Sequence, residues 1–364
     1  MRVCETCHTP YKSSVDFCGL DGTRLVDKDG DPLKGVVIDR YRLVERLGGG
    51  GMAAVYKAQH ETIDRVVAIK LLYGELASNK EFAERFRREA QASSKIKHKN
   101  VVEVVDFGTT SHGASFLIME LLRGHTLGAA LSAAGTFSPA RAARVVRDVA
   151  AGLAAAHDLG FVHRDLKPGN IMLVDDGGEE VAKLVDFGLV GEDGPGFSSS
   201  SSPLSEEKKK KLTQSGVTMG TPHYMAPEQI AGMGCTGQSD LYSLGVVLHE
   251  LLTGAAPFHG SLGEILVQHA HQAPPPLPPS QGLEKIAARL LEKEPRRRPR
   301  DAWQLLELLS ETGLVPATSG PARSSSTDAL LSALGPAALT ETALKAPPIP
   351  PSTATLLAAP PAEI

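Results

Sequence analysis

Two hydrophobic periods succeed one another along this chain, and the change between them divides it. From Tyr41, the runs YRLVERL, AAVYKAQH and RVVAIKLL hold β-branched and apolar residues between a glycine run and the polar turn ETID, a pattern that predicts a strand meander. EFAERFRREAQASSKI then sets Phe82, Phe86 and Ile96 at helical spacing with charge on the other face. VVEVVDFG and SFLIMEL predict two further short strands. After Leu127 the period lengthens. Ser138 followed by Pro139 makes an N-cap and first-turn pair for a helix whose Val145, Val149, Leu153 and Ala156 share one face. Later helices are expected from Ser239 to Thr253 and from Asp301 to Leu309. The outline is an α+β protein with a small strand-rich lobe followed by a larger helical one.

Some stretches carry neither period. Residues 1–26 are turn-rich and hold three of the four cysteines, and residues 27–40, with DKDGDPLKG, read as a linker to a unit spanning 41–310. PGFSSSSSPLSEEKKKKLTQS, inside the helical lobe, and the Ala/Pro/Ser-rich tail 311–364 lack an apolar period, so both are expected to be mobile and the tail disordered. The formal net charge of -4 gives no reason to expect a nucleic-acid partner, which would call for a strongly basic surface. No run approaches the ~18 apolar residues of a membrane helix, and the first residues lack an apolar signal core, so a cytoplasmic protein is expected. In that reducing compartment clustered cysteines point to metal rather than disulfides, and Cys235 is read as a small buried or surface residue.

The chemistry begins at LGGGGMAAVYKA. Its glycines lie between two predicted strands, not between a strand and a helix as in a dinucleotide fold, and no Gly-Lys-Ser/Thr comes after them as in a Walker loop. Glycines there let backbone N–H groups approach a triphosphate, although the same run also suits a loose hairpin turn. The order of the downstream motifs decides between them. VAIK ends in Lys70, RFRREA holds Glu89, HRDLKPGN holds Asp165 and Asn170, VDFG holds Asp186, and APE spans Ala226 to Glu228. In that order and spacing the chain resembles the eukaryotic-like (Hanks-type) protein serine/threonine kinases of bacteria over residues 41–310.

The resemblance implies a two-lobed kinase fold, ATP and Mg2+ as the nucleotide and its metal, and protein substrates. Lys70 would bind the phosphates, held by an ion pair with Glu89, and Asp186 and Asn170 would be the Mg2+ ligands. Asp165 would orient the substrate hydroxyl, with Lys167 beside the transferring phosphate. Lys167 and the GTPHYMAPE segment fit serine or threonine acceptors, and Thr221 would bond the catalytic pair. For ATP, Gly48, Gly49, Gly50 and Gly51 would cover the phosphates, and Leu47, Val55, Ala68 and Leu173 would sandwich the purine. Glu120 and Leu122 would offer hinge backbone groups and Met119 would guard the back pocket, although any of these side chains also suits plain core. Ala53 stands where many relatives have a third glycine, and Lys99 replaces a common proline; neither is given functional weight beyond a stiffer loop.

Arg164, next to Asp165, is the residue through which the family binds an activation-loop phosphate, with Thr213, Ser215 and Thr218 as acceptors, a step that two associating kinases would perform on each other. Ser198 to Ser202 are also phosphorylatable, and Lys208 to Lys211 read as a solvated run. Glu228 and Arg298 match the family's buried ion pair, Asp240 is expected to cap its helix and hold the catalytic-loop backbone, and Trp303 reads as core. A catalytically dead scaffold is the competing class, disfavoured because Lys70, Glu89, Asp165, Asn170 and Asp186 are all present. A small-molecule kinase is disfavoured by the full activation segment.

CETCHTPYKSSVDFCGLDG remains outside this scheme. Cys4 and Cys7 form a Cys-x-x-Cys pair, and Cys18 with Asp21 repeats its spacing, Asp21 standing where a zinc ribbon would have its fourth cysteine. His8 competes for that place but adjoins Cys7 and would need an awkward reach, so Asp21 is the favoured fourth ligand of a structural Zn2+. The alternative is a ribbon-like turn pair that no longer holds metal.

Overall fold

The computed structural model of the chain describes residues 2–6, 10–11, 15–27, 31, 33–49, 53–72, 86–87, 90–91, 93–110, 113–187 and 222–316. The expected Ser/Lys-rich insert and residues 317–364 of the expected tail lie outside the described residues; residues 311–316 are described, and Val315 is buried in the helical core.

The first element is a small antiparallel sheet in the order β2-β1-β3, made of β1 (Arg2–Val3), β2 (Pro10–Tyr11) and β3 (Val26–Asp27). Its apolar core is minute: Cys4, Tyr11, Cys18 and Leu25, with Val15 and Leu20 packed on them.

A six-stranded antiparallel sheet follows, in the order β4-β5-β6-β7-β9-β8. Its strands are β4 (Val37–Ile38), β5 (Tyr41–Gly49), β6 (Ala53–His60), β7 (Val66–Leu72), β8 (Val104–Thr109) and β9 (Ser115–Glu120). The predicted meander is present, with each strand paired to its sequence neighbour except that β9 inserts between β7 and β8. Alternation along the strands buries one face around Leu43, Tyr56, Ile69 and Ile118. The other face carries Ala68, Leu117 and Met119 against Phe86, the described anchor of the predicted N-lobe helix; Phe82 of that helix lies outside the described residues.

The helical lobe is joined on by β10 (Gly124–Thr126), which pairs with the hairpin of β11 (Ile171–Asp176) and β12 (Glu179–Leu184). Its helices are α1 (Leu127–Ala134), α2 (Pro139–Asp158), α3 (Pro227–Ile230), α4 (Gly237–Thr253), α5 (Leu262–His271), α6 (Leu283–Leu290) and α7 (Ala302–Glu311). The predicted cap of α2 is realised, since the Ser138 hydroxyl accepts from the Arg141 N–H at 3.4 Å with Pro139 at the first helical position. Val145, Val149, Leu153 and Ala156 all face the core. Helix α4 is buried on nearly every side, and Gly245 is what lets α6 cross it: a Cβ there would stand 2.6 Å from Leu290 Cβ. Trp303 sits at the margin of this core, where its indole N–H donates to Asp158.

Candidate active site

The catalytic-loop residues are held by groups far away in sequence. The Asp240 carboxylate accepts the backbone N–H of His163 at 2.7 Å, that of Arg164 at 2.8 Å and the His157 imidazole Nε2 at 2.8 Å. It is 1% exposed; burial alone would raise its pKa, but the hydrogen bond and charge of His157 and the backbone N–H of His163 hold it below the usual carboxylate value. Asp240 was expected at the helix cap, yet α4 starts after Thr236, so Asp240 lies one turn inside, where the side chain faces the loop rather than its own N–H groups. Arg164 keeps φ at 68°, a left-handed conformation unusual for a non-glycine residue, and Gln229 Nε2 donates to its carbonyl at 3.0 Å. Its Nε is buried with no hydrogen-bond partner among the described residues.

That scaffold presents three polar groups together. The Lys167 ammonium donates to Asp165 Oδ2 at 2.6 Å, and Asn170 Nδ2 donates to the Asp165 carbonyl at 2.8 Å and to its Oδ2 at 3.1 Å. With its NH2 group so engaged, Asn170 turns its amide oxygen away from Asp165.

Asp186 follows β12, just after Val185, whose N–H donates to the Asn170 carbonyl at 3.0 Å. Strand β12 is tied to the N-lobe side through hydrogen bonds of Leu184 N to Asn100 O at 2.8 Å and Val102 N to Leu184 O at 2.9 Å, and Asn100 Nδ2 donates to Ala182 O at 2.8 Å. Two residues on, Asp186 adopts φ 59°, also left-handed, and its Oδ1 pairs with Lys70 Nζ at 2.7 Å. Lys70 is presented by β7, opposite Val55 on β6 and Leu117 on β9. His163 packs on Phe187, ring centroids 4.8 Å apart, and its Nε2 bonds Val185 O at 3.1 Å, joining the catalytic loop to the segment after β12.

The residues expected around a purine divide between exposed and buried. Ala68 faces Met119 across β7 and β9, both buried, and Leu173 is buried on β11; Val55 and Leu122 are half-buried, and Leu47 is 48% exposed at the end of β5. Gly48 pairs with Val55 and Gly49 with Ala54. At Gly49, φ is 150° and a Cβ would lie 2.7 Å from Ala53 O, so only glycine fits. Gly50, Gly51, Glu89, Thr213, Ser215, Thr218 and Thr221 lie outside the described residues.

Several contacts around the site have no local sequence signal. The Glu120 carboxylate accepts from Lys183 Nζ at 2.8 and 3.0 Å and from Glu103 N at 2.9 Å, linking the strand before the hinge to β12. Below the loop, Glu228 and Arg298 form the expected pair, with Nη1 and Nη2 donating at 2.7 and 2.9 Å to the two carboxylate oxygens. Arg298 also donates to the carbonyls of Glu292, Gln238 and Lys293, so all its donors are used. Beside Lys167 and Gly169 opens a cavity of about 440 Å³ floored by Tyr224 and Glu250. The tyrosine hydroxyl donates to Glu250 at 2.7 Å, and burial pushes the pKa values of both groups up.

The N-terminal module brings Cys4, Cys18 and Asp21 together, their ligand atoms all within 4.8 Å of one another. Cys4 Sγ is 3.3 Å from Asp21 Oδ2, close to the roughly 3.5 Å that separates a sulfur and an oxygen on one tetrahedral zinc. The Thr23 N–H and hydroxyl hold the Asp21 carboxyl well below the usual carboxylate range, ready to act as an anionic ligand. Cys18 Sγ accepts from Leu20 N at 3.4 Å and lies 3.1 Å from the Tyr11 hydroxyl. Cys7 and His8 lie outside the described residues.

Among the described residues, no helix is long and apolar enough to cross a membrane. A model of the protein kinase domain matches residues 41–308. The chain is 40% identical over 284 residues to the serine/threonine-protein kinase pkn2 of Myxococcus xanthus, an alignment covering 76% of this chain and 33% of that protein. It is 40% identical over 308 residues to Pkn1 of the same organism, covering 80% of this chain and 41% of the relative. Against the probable serine/threonine-protein kinase PknB of Corynebacterium glutamicum it is 37% identical over 248 residues, covering 67% and 36%. The chain thus spans only about a third to two-fifths of the length of these relatives. The solved kinase domain of Mycobacterium tuberculosis PknI shares the fold, with a TM-score of 0.56 at 24% identity over 77% of this chain and 98% of that one.

Proposed function

The chain belongs to the protein kinase family, and from that premise we propose that it transfers the ATP γ-phosphate to serine or threonine hydroxyls of proteins in bacterial signalling. The observation that carries this reading is the convergence of Asp165, Lys167 and Asn170 on one loop, with Lys70 paired to Asp186 next to Val185, whose N–H donates to the Asn170 carbonyl. An Asp165 carboxylate held by two donors accepts the hydrogen bond of an incoming hydroxyl and fixes its direction of attack, while Lys167 neutralises charge on the migrating phosphoryl group. Catalysis by a kinase is mostly positioning and charge neutralisation, so the buried Asp240 anchor matters as much as the reacting groups.

The donors suit Mg2+: the Asp186 carboxylate is 35% exposed, and the Asn170 amide oxygen makes no hydrogen bond among the described residues, both hard oxygen ligands. Bound there with ATP, the metal would neutralise phosphate charge, and Lys70 would pass from Asp186 to the phosphates. Leu47, Val55, Ala68 and Leu173 would enclose the purine, Glu120 and Leu122 supply hinge backbone groups below Met119, and Gly48 to Gly51 cover the phosphates. The cavity beside Gly169 would take the substrate chain. Activation would proceed by phosphorylation of Thr213, Ser215 or Thr218 between associating copies; the Arg164 Nε, buried with no hydrogen-bond partner among the described residues, supports a phosphate arriving there. Glu89 and Thr221 complete the set as partner of Lys70 and of the Asp165–Lys167 pair.

We read residues 1–26 as a zinc-ribbon-like module with Cys4, Cys7, Cys18 and Asp21 as ligands, 27–40 as its connection, 41–310 as the kinase domain and 311–364 as a tail. Thiolate ligands and ATP both fit the cytoplasm.

Purified protein with radiolabelled ATP and Mg2+ is expected to label itself and a generic protein substrate, while Asp165→Asn and Lys70→Met lose nearly all transfer. Equal labelling by wild type and both variants would reject the catalytic reading. Metal analysis of the full chain is expected to find one zinc, lost in Cys18→Ser.

A further inference from the structure

The segment between the metal module and the N-lobe is built into the kinase sheet. Asp31 Oδ1 accepts the Tyr56 hydroxyl at 2.9 Å and the Leu33 N–H at 3.1 Å. Leu33 is 3% exposed within the apolar cluster of the sheet, beside Leu43, Tyr56 and Ile69. Gly35 N donates to Leu43 O at 2.7 Å, Leu43 N to Val36 O at 2.9 Å, and β4 then pairs with β5. Asp31 and residues 33–38 therefore form a strap across the outer strands.

The strap starts only four residues after β3, whose Val26 and Asp27 pair with Val3 and Arg2, directly before Cys4. A second contact lies elsewhere on the sheet: Leu20, between Cys18 and Asp21, has its Cδ2 3.5 Å from where a Cβ of Gly113 would stand, in the turn joining β8 to β9. The module thus comes close to the N-lobe at Leu20, a residue bracketed by the proposed ligands Cys18 and Asp21, and is leashed to it by a strap rooted in the core.

The root is next to the nucleotide machinery. Tyr56 pairs with Ile69 and Arg46, while the adjacent Val55 pairs with Lys70 and Gly48. Leu117 on β9, the strand that leaves the Gly113 turn, pairs with Lys70 from the other side. The strap is also shallowly held, because Asp31 Oδ2 is buried without a hydrogen-bond partner among the described residues.

We propose that the N-terminal module is a metal-dependent cap on the N-lobe: zinc on Cys4, Cys18 and Asp21 orders the module, keeps Leu20 on the β8–β9 turn and the strap on Tyr56, and so steadies the strands that carry Lys70 and the glycine loop. The inference rests on the zinc reading above. A module with a four-residue core cannot hold its shape without a ligand, so metal binding and docking are one equilibrium. By linkage, the strap then raises zinc affinity as much as zinc stabilises the docked strap.

The test is hydrogen exchange by mass spectrometry on the full chain under reducing conditions, with and without added zinc chloride, and with bound zinc counted in the same samples. Zinc is expected to slow exchange about fivefold or more in peptides covering 53–60, 66–72 and 104–116. Leu20→Asp and Tyr56→Phe are expected to bind one zinc per chain yet lose that N-lobe protection. One zinc bound with exchange slowed only within 1–27, or protection undiminished in both variants, would overturn the coupling and leave the zinc site standing. A chain that binds no zinc would overturn both. Neither readout requires phosphoryl transfer, so a failed kinase assay leaves the result interpretable.

Discussion

The catalytic loop and the N-terminal module both gather a few polar side chains from distant positions, but they hold them by opposite means. Under the loop lies a core of buried apolar residues from α2, α4, α6 and α7, and from it Asp240 and Arg298 reach up with every hydrogen bond satisfied. Under the N-terminal module lie Cys4, Tyr11, Cys18 and Leu25, two of them proposed metal ligands. Packing can fix functional geometry in advance only where enough apolar surface is buried to offset the ordering entropy, and a unit of 26 residues cannot do so. On the proposed zinc reading the metal would supply the order there.

The comparison breaks first at Arg298. Arg298→Met leaves the Glu228 carboxylate buried without its cation, keeping the Ser239 hydroxyl as a donor, and is expected to cost about 3–5 kcal/mol in urea unfolding of the helical lobe. A loss within about 0.5 kcal/mol would mean that the loop does not depend on this foundation.

Next comes acid sensitivity. His269 is buried, with Nδ1 on the Tyr242 hydroxyl and Nε2 on the His223 carbonyl, and burial followed by the Lys293 charge lowers its pKa from 6.5 to about 4. The unfolded chain therefore binds the proton first. The stability due to neutral His269 is full above pH 6.5 and is lost as pH falls through about 4, up to about 3 kcal/mol. His269→Gln should flatten that part of the stability profile.

Asp240→Asn keeps the shape but swaps one acceptor oxygen for a donor beneath His163 and Arg164. The expected result is about a 10²-fold lower kcat with little change in the KM for ATP. A normal kcat would show that the loop geometry does not need the charge.

The smallest expected effect is in the module. Tyr11→Phe removes the hydroxyl that bonds Cys18 Sγ and receives Gly19 N, and should cost about 1 kcal/mol of zinc affinity, some fivefold, with urea unfolding of the helical lobe unchanged. Loss of helical-lobe stability would show that the module is part of the foundation too.

The elements themselves were legible because period reports burial. The meander from Tyr41 to Leu72, the Ser138–Pro139 start of α2 and the buried stripe Val145, Val149, Leu153 and Ala156 all stand where alternation and helical spacing put them. The candidate site was legible through short motifs whose residues lie within a loop, such as Asp165, Lys167 and Asn170. Partners separated by long stretches of chain were not: Lys183 on Glu120, Gln229 on Arg164, His157 on Asp240, and the Tyr224–Glu250 floor of the cavity. Nothing local distinguishes a glutamate that will meet a lysine 63 positions away from one that faces water.

By itself, then, the sequence determined the two-lobed order of strands and helices, the motif residues and a candidate ligand set of Cys4, Cys7, Cys18 and Asp21, because each depends on local period or spacing. Only the tertiary structure decided that Lys70 rests on Asp186, that Asp240 lies inside its helix rather than at its cap, and that the segment after residue 30 is a strap with Leu33 in the sheet core. A stretch rich in Asp, Gly and Lys has no periodic signature, so its one buried leucine and its one gripping carboxylate become visible only when the sheet supplies their partners.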